Sequence, residues 1–95
     1  MPQRVLIVDD DPVQRTVIRS IVPPTWEVLE ASSAMAGLQI YWEWRPALDL
    51  VILDMELPYN VSSAVLDWMR ALDQTMPIIS TAHVFESTAS RSAEG

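Results

Sequence analysis

The stretch that decides the fold reads VLIVDDDP over residues 5–12. Its four apolar residues, bounded by polar ones, are typical of a buried strand, and a similar run over residues 50–53 ends on Asp54. In a parallel sheet the carboxyl ends of neighbouring strands meet at one edge, which is where open α/β sheets bind ligands. We therefore expect Asp9, Asp10 and Asp54 to share one small volume at that edge.

Three carboxylates in one place indicate a cation site. Two unit charges about 4 Å apart repel by roughly 4 kcal/mol at an effective dielectric near 20. Oxygen ligands of this charge suit a hard divalent ion, and Mg²⁺ is the leading candidate. The neighbouring Asp11 has a different predicted role, because the pair Asp11-Pro12 is typical of a helix start with Asp11 as the N-cap.

Composition limits the classes of function. The 95 residues suit a single domain over residues 1–95, and the net charge of −7, with six arginines and no lysine, argues against a nucleic-acid partner. The absence of cysteine excludes disulfides and thiolate metal sites. No apolar stretch approaches the roughly 18 residues of a membrane span, and the N-terminus does not resemble a signal peptide. We expect no membrane partner and a cytoplasmic location.

The rest of the pattern predicts four strand–helix units. Strands are expected over residues 4–8, 26–31 and 49–54, and from residue 77 to residue 80 or 81. Helices are expected over residues 12–22 and 84–93. Between them, a second helix is expected from an N-cap at Ser32 or Ser33 to residue 44, and a third from an N-cap at Ser62 or Ser63 to residue 72. Strands alternating with helices imply an α/β fold with a parallel sheet covered on both faces. The polar residues 87–95 are expected to form a disordered tail.

Side-chain spacing predicts which helix faces are buried. On the first helix, Val13, Val17 and Ile21 recur at i, i+4 and i+8, so we expect this stripe to face the core. Gln14, Arg15 and Ile18 then lie off the core face of this helix. The residues expected to face inward on the second and third helices are Leu38, Tyr41, Trp42, Val65, Trp68, Met69 and Leu72.

Three segments resemble the receiver domain of two-component response regulators. They are VDDDP at residues 8–12, LDMELP at residues 53–58 and PIISTA at residues 77–82. The family carries an acidic pair after strand one, a phosphoacceptor aspartate after strand three, and Thr/Ser-Ala after strand four. The resemblance spans nearly the whole chain and implies a flavodoxin-like, doubly wound parallel sheet with strand order 2-1-3-4.

The resemblance implies a phosphoacceptor and a metal site. Asp54 would attack the phosphorus of a phosphohistidine and become an acyl phosphate. Mg²⁺ would be held by Asp9, Asp10 and Asp54, together with the backbone carbonyl of Glu56. The implied phosphodonor is a histidine kinase or a histidine phosphotransfer protein, and the implied function is a signalling switch.

The end of strand four would respond to the phosphoryl group. The resemblance implies that the Thr81 hydroxyl bonds a phosphoryl oxygen, with Ser80 as the alternative if the register differs by one. The small Ala82 would leave room for the phosphoryl group beside its backbone N–H. His83, the sole histidine, is expected to be a surface residue near this pocket.

The chain departs from the family pattern in three places. Ser62 is nearest to a position that is usually glycine, which we expect to alter only the start of helix three, and Thr81 lies one residue closer to Pro77 than is common. The sequence stops at Gly95, about where a fifth strand would begin, and the lysine of that strand is absent. We therefore expect a (βα)4 domain lacking the last strand and helix. Strand four would then be an exposed edge, so we expect the chain to form a homodimer through it, to aggregate, or to be a fragment of a longer polypeptide.

Two alternatives remain open at this point. The pattern DDDPV at residues 9–13 also fits haloacid-dehalogenase-like phosphatases, in which Asp9 would be the nucleophile and Asp11 the general acid. The chain could also be a degenerate receiver that acts only as a binding module. We prefer a receiver that is not an enzyme and transfers a phosphoryl group only to itself.

Overall fold

The computed structural model describes residues 2–82 of the chain. The predicted fourth helix (residues 84–93), the expected tail (residues 87–95) and His83 lie outside the described residues. The strands are β1 (Arg4–Val8), β2 (Glu27–Ala31), β3 (Leu50–Asp54) and β4 (Ile78–Thr81). The helices are α1 (Pro12–Ile21), α2 (Ala34–Trp44) and α3 (Ser62–Leu72), with short 3-10 turns at Arg45–Ala47 and Pro58–Asn60.

The four strands form one parallel sheet in the order β2-β1-β3-β4. This confirms the expected flavodoxin-like arrangement and the strand order. In the register, Val8 pairs with Ala31 on one side and Leu53 on the other, and Asp54 pairs with Thr81. The carboxyl ends of β1, β3 and β4 therefore lie side by side.

The central strands are buried on both faces, as their continuous apolar runs predict. One face packs against α2 and α3 through a core that includes Leu6, Val8, Tyr41, Leu53 and Met69. The opposite face packs against α1 through a smaller core of Val5, Ile7, Ile18 and Ile52. Because the two apolar layers clamp β1 and β3, the residues that follow these strands start from rigid positions.

The predicted core face of α1 is wrong. Val13 and Ile21 are 69% and 76% exposed, whereas Gln14 and Ile18 are buried. At 100° per residue, Val13 and Arg15 lie on opposite sides of the Gln14 position. The Arg15 guanidinium donates to the Asp9 carbonyl at 2.7 Å, which is consistent with a helix rotated so that Gln14 and Ile18 face the sheet. The stripe of Val13 and Ile21 therefore lies beside the surface of α1 that packs on the sheet and does not form that surface.

Two tryptophans predicted to face inward also have substantial exposed surface. Trp42 on α2 is 57% exposed and Trp68 on α3 is 38% exposed. Tyr41 fills the space between these helices instead, and its hydroxyl donates to the Met69 carbonyl at 3.1 Å. The rings of Trp42 and Trp68 are 6.3 Å apart at the surface, so they cover this contact from outside.

Candidate functional site

The three carboxylates that the sequence predicts to meet are brought together by β1 and β3. Asp9 and Asp10 directly follow β1, and Asp54 is the last residue of β3. One carboxylate oxygen from each residue lies within 4.8 Å of those of the other two. Asp9 and Asp54 are fully buried, whereas Asp10 is exposed. The group therefore has a protected floor and one side open to solvent.

Backbone amides orient the two buried carboxylates. The Asp11 N–H donates to Asp9 Oδ1 at 2.9 Å, and the Glu56 N–H donates to Asp54 Oδ1 at 2.9 Å. In each case an aspartate accepts from the amide two residues further along, which is a common turn at the end of a strand. Arg15 adds its 2.7 Å bond to the Asp9 carbonyl, so the backbone at Asp9 is held from the helix side as well.

Asp11 has the structural role that the sequence predicts. Its Oδ1 accepts from the Val13 N–H at 2.9 Å, and it is the N-cap of α1. Among residues 2–82, the group of acidic side chains close enough to share a metal ion comprises Asp9, Asp10 and Asp54, without Asp11.

The carboxylate group has the chemistry of a hard-cation site. At 4.8 Å and an effective dielectric of about 20, two unit charges repel by about 3.5 kcal/mol. A divalent cation bound between the carboxylates attracts each of them and so offsets their mutual repulsion. Carboxylate oxygen donors favour Mg²⁺ or Ca²⁺ over softer metals. Oxygens that bind one Mg²⁺ are about 4.1 Å apart when opposite and about 3 Å apart when adjacent, so the three oxygens would move closer by up to about 2 Å to bind it directly. The residues present therefore fit a divalent ion.

Thr81 lies beside this group at the end of β4. Its Cα is the register partner of Asp54, and its carbonyl accepts from the Met55 N–H at 2.8 Å. Its Oγ1 is buried and has no hydrogen-bond partner among the described residues. Leaving a buried hydroxyl unpaired costs about 1–3 kcal/mol, so this atom is suited to bond an oxygen that arrives from outside.

The strand register also decides between Ser80 and Thr81, the two hydroxyl residues that the sequence left as alternatives. Ser80 pairs with Leu53 and is exposed, so Thr81 is the hydroxyl residue adjacent to Asp54. Ala82 follows directly and is exposed. The Glu56 side chain is exposed too, and the role of its carbonyl stays a prediction.

The first residue of α3, Ser62, has a role that the sequence did not predict. Ser62 does not cap α3, because the N-cap is Val61, which makes no side-chain capping bond. The Ser62 hydroxyl instead donates to the Asp54 carbonyl at 2.7 Å and accepts from the Leu57 N–H at 3.1 Å. The expectation that Ser62 alters only the start of the helix is therefore wrong. The only sequence signal was a serine where glycine is usual.

An apolar cavity of about 320 Å³ opens beside the carboxylate group. Its lining includes Asp10, Met35, Leu57, Pro58 and Tyr59. Tyr59 is almost fully exposed. The exposed Asp10 therefore belongs both to the carboxylate group and to the lining of a mainly apolar cavity.

Comparison with known proteins shows the family. The family model described as the response regulator receiver domain matches residues 5–94. The chain is 26% identical to the polar-differentiation response regulator DivK of Brucella anthropi, over all of this chain and 79% of that protein. It is 35% identical to the transcriptional regulatory protein AfsQ1 of Streptomyces coelicolor, over 86% of this chain but only 36% of that protein.

A solved structure supports the same grouping. The response regulator receiver domain protein from Clostridium thermocellum superimposes with a TM-score of 0.77 at 26% identity, over 98% of this chain and 76% of that one. The chain therefore belongs to the response regulator receiver domain family, a family of signalling domains. Within residues 2–82, no helix is both long enough and apolar enough to cross a membrane.

Proposed function

We propose that residues 1–95 act as a phosphoacceptor receiver unit of a two-component signalling protein, with Asp54 as the phosphorylated residue. The observation that carries this proposal is the position of Asp54. Its carboxylate is buried at the end of a central strand, within 4.8 Å of two further carboxylates, and its register partner Thr81 has a buried hydroxyl without a bond among the described residues.

The protein has to supply few reacting groups for this phosphoryl transfer. An oxygen of the Asp54 carboxylate attacks the phosphorus of a phosphohistidine, the P–N bond breaks as the P–O bond forms, and the imidazole leaves. The Glu56 N–H bond to Asp54 Oδ1 fixes the orientation of the attacking group. Positioning and charge stabilisation account for most of the catalysis of such phosphoryl transfers.

Asp9, Asp10 and Asp54 would hold Mg²⁺, with the Glu56 backbone carbonyl as a further ligand. When bound, the ion neutralises charge on the transferring group and on the carboxylates around it. Asp9 is pre-oriented by the Asp11 amide and Asp54 by the Glu56 amide, so the buried donors need little rearrangement. Asp10 is the accessible ligand, through which the ion would enter.

Thr81 and Ala82 would detect the modification. A phosphoryl group adds about −1.5 to −2 charge and three strong acceptor oxygens. The Thr81 Oγ1 hydroxyl would donate to one of these oxygens, and the small Ala82 would leave its backbone N–H accessible to another. Formation of these bonds would draw the end of β4 towards Asp54 and change the adjacent surface, which is the switching event we propose.

The proposed partners follow from this chemistry. A histidine kinase or a histidine phosphotransfer protein would present the phosphohistidine at the open side of the carboxylate group, next to the apolar cavity. We also propose a cytoplasmic location and a homodimer formed through the outer edge of β4, the last strand in the order of the described sheet. Sedimentation that shows a monomer at high protein concentration would contradict the homodimer.

Phosphorylation by a small acyl phosphate tests the central proposal. Incubation with acetyl phosphate and Mg²⁺ should add the mass of one phosphoryl group, and EDTA should prevent it. The Asp54→Asn variant should gain no mass, whereas Asp67→Asn, an exposed aspartate on α3, should behave as the unmodified chain does. A mass gain that persists in Asp54→Asn would overturn the assignment. Binding of Mg²⁺ without any phosphorylation would support a receiver that acts only as a binding module.

A further inference from the structure

We propose that Ser62 is a positioning residue for the metal site, and that its hydroxyl sets the Mg²⁺ affinity by holding the β3–α3 loop (residues 55–61) in place. The inference rests on the proposed function, because it concerns what keeps the same carboxylate and carbonyl groups in register. It assigns a role to a residue that lies outside the carboxylate group and contacts Asp54 only through the backbone.

The β3–α3 loop contacts the site at two points. The Glu56 N–H bonds to the Asp54 carboxylate at 2.9 Å, and the Met55 N–H bonds to the Thr81 carbonyl at 2.8 Å. The Glu56 carbonyl, a proposed metal ligand, belongs to the same short segment. A displacement of the loop therefore shifts a carboxylate and a carbonyl ligand together. Mg²⁺ is sensitive to such a shift because it requires nearly ideal octahedral geometry.

The loop backbone is not in a conformation that these residues prefer. Tyr59 has φ of 65° and Asn60 has φ of 54°, so two consecutive non-glycine residues are left-handed. This conformation costs roughly 1–2 kcal/mol for a typical side chain, although asparagine tolerates it better. The Tyr59 side chain is 95% exposed, so packing does little to offset the cost. Such a segment persists only when its surroundings hold it.

Ser62 supplies that restraint at both ends of the strained turn. Its side chain is buried, its Oγ donates to the Asp54 carbonyl at 2.7 Å, and the same oxygen accepts from the Leu57 N–H at 3.1 Å. A hydroxyl can donate and accept at once, which neither alanine nor glycine can do. The two bonds tie the first residue of α3 to the last residue of β3 and to the middle of the loop. The hydroxyl is therefore committed to the loop and not to capping the helix.

Isothermal titration calorimetry with Mg²⁺ alone tests this role. Ser62→Ala should raise the Mg²⁺ Kd about tenfold, in the range found when groups that orient metal ligands are removed. Ser63→Ala removes the adjacent, exposed hydroxyl and should leave the Kd unchanged. Thermal unfolding of each variant identifies a temperature at which all are folded. Ser62→Cys, of nearly the same size but with a weaker donor, should give an intermediate Kd and is the fallback if Ser62→Ala does not fold.

A double variant separates positioning from general destabilisation. If Ser62 restrains a strained loop, Tyr59→Gly should recover part of the lost Mg²⁺ affinity in the Ser62→Ala background, because glycine adopts positive φ without strain. A Ser62→Ala variant that is less stable but binds Mg²⁺ with the original Kd would overturn the inference and leave the metal site intact. If the unmodified chain does not bind Mg²⁺, the proposed metal site itself fails, and the inference fails with it.

Discussion

Asp10→Asn should make the metal-free protein more stable and should at the same time reduce its response to Mg²⁺. Asp10 contributes one charge to a group whose oxygens lie within 4.8 Å of one another. Each of its two pairwise repulsions is worth about 3.5 kcal/mol at a dielectric of 20 and about 0.9 kcal/mol at that of water. Because Asp10 is exposed, the lower figure applies, and the free energy of unfolding should rise by about 2 kcal/mol in EDTA.

Urea unfolding with and without Mg²⁺ measures both effects. At a Mg²⁺ concentration ten times the Kd, binding should stabilise the unmodified chain by about 1.4 kcal/mol. Mg²⁺ should stabilise Asp10→Asn by clearly less than this, because the variant lacks one charged ligand. Asp67→Asn is the matched control for the loss of one negative charge from a chain of net charge −7. Equal stability of Asp10→Asn and Asp67→Asn in EDTA, or equal stabilisation of both by Mg²⁺, would contradict a repulsive carboxylate group that binds Mg²⁺.

Three substitutions away from the carboxylates test the packing that supports them. Gly37→Ala should lower the free energy of unfolding by about 1–2 kcal/mol, because the new Cβ would lie 2.8 Å from a methyl group of buried Val8; equal or higher stability in urea would contradict this. Tyr41→Phe should cost about 1 kcal/mol at neutral pH by removing the bond to Met69. Burial, and secondarily a nearby carboxylate, raises the pKa of Tyr41 above 10.0, so its contribution should persist below pH 10.0 and disappear as the pH rises through the folded-state pKa. The difference in free energy of unfolding between the unmodified chain and Tyr41→Phe should therefore be smaller above that pH than below it. Tyr59→Gly should raise the free energy of unfolding by about 0.5–1 kcal/mol by relieving the left-handed backbone, and a loss of stability would show that the ring makes a contribution.

The strands and the carboxylate group were predictable because short-range signals determine them. A continuous apolar run has one stable place in an α/β domain, at the centre of the sheet, and the aspartates after two such runs must then meet at its edge. The preference of short polar side chains for helix starts predicted Asp11 as the N-cap of α1 and left Ser32 or Ser33 for α2, where the N-cap is Ser33.

The predictions that failed depend on how elements are rotated and packed. The stripe of Val13 and Ile21 is as apolar as a core face, yet α1 is rotated so that Gln14 and Ile18 contact the sheet. Hydrophobic periodicity reports that a face is apolar but not which neighbour covers it. The rotation of a helix about its axis depends on the layers that pack against it, so the spacing of apolar residues alone does not predict it.

The loop before α3 shows a different limit. The preference for serine at helix starts predicted a cap, but Ser62 hydrogen-bonds the Asp54 carbonyl and the Leu57 amide. The left-handed conformations of Tyr59 and Asn60 were not predictable either, because only asparagine among the two favours them. These features arise from closing a short loop between a buried strand and a helix, and closure is a tertiary constraint.

The most direct test of the central claim is to locate the phosphoryl group after reaction with acetyl phosphate and Mg²⁺. Borohydride reduction of an aspartyl phosphate yields homoserine at the modified residue, which tandem mass spectrometry identifies in a peptide. We predict homoserine at position 54 and unmodified aspartate at positions 9, 10 and 11. Homoserine at position 9 would contradict this prediction, because that result would make Asp9 the nucleophile, as in the phosphatase alternative.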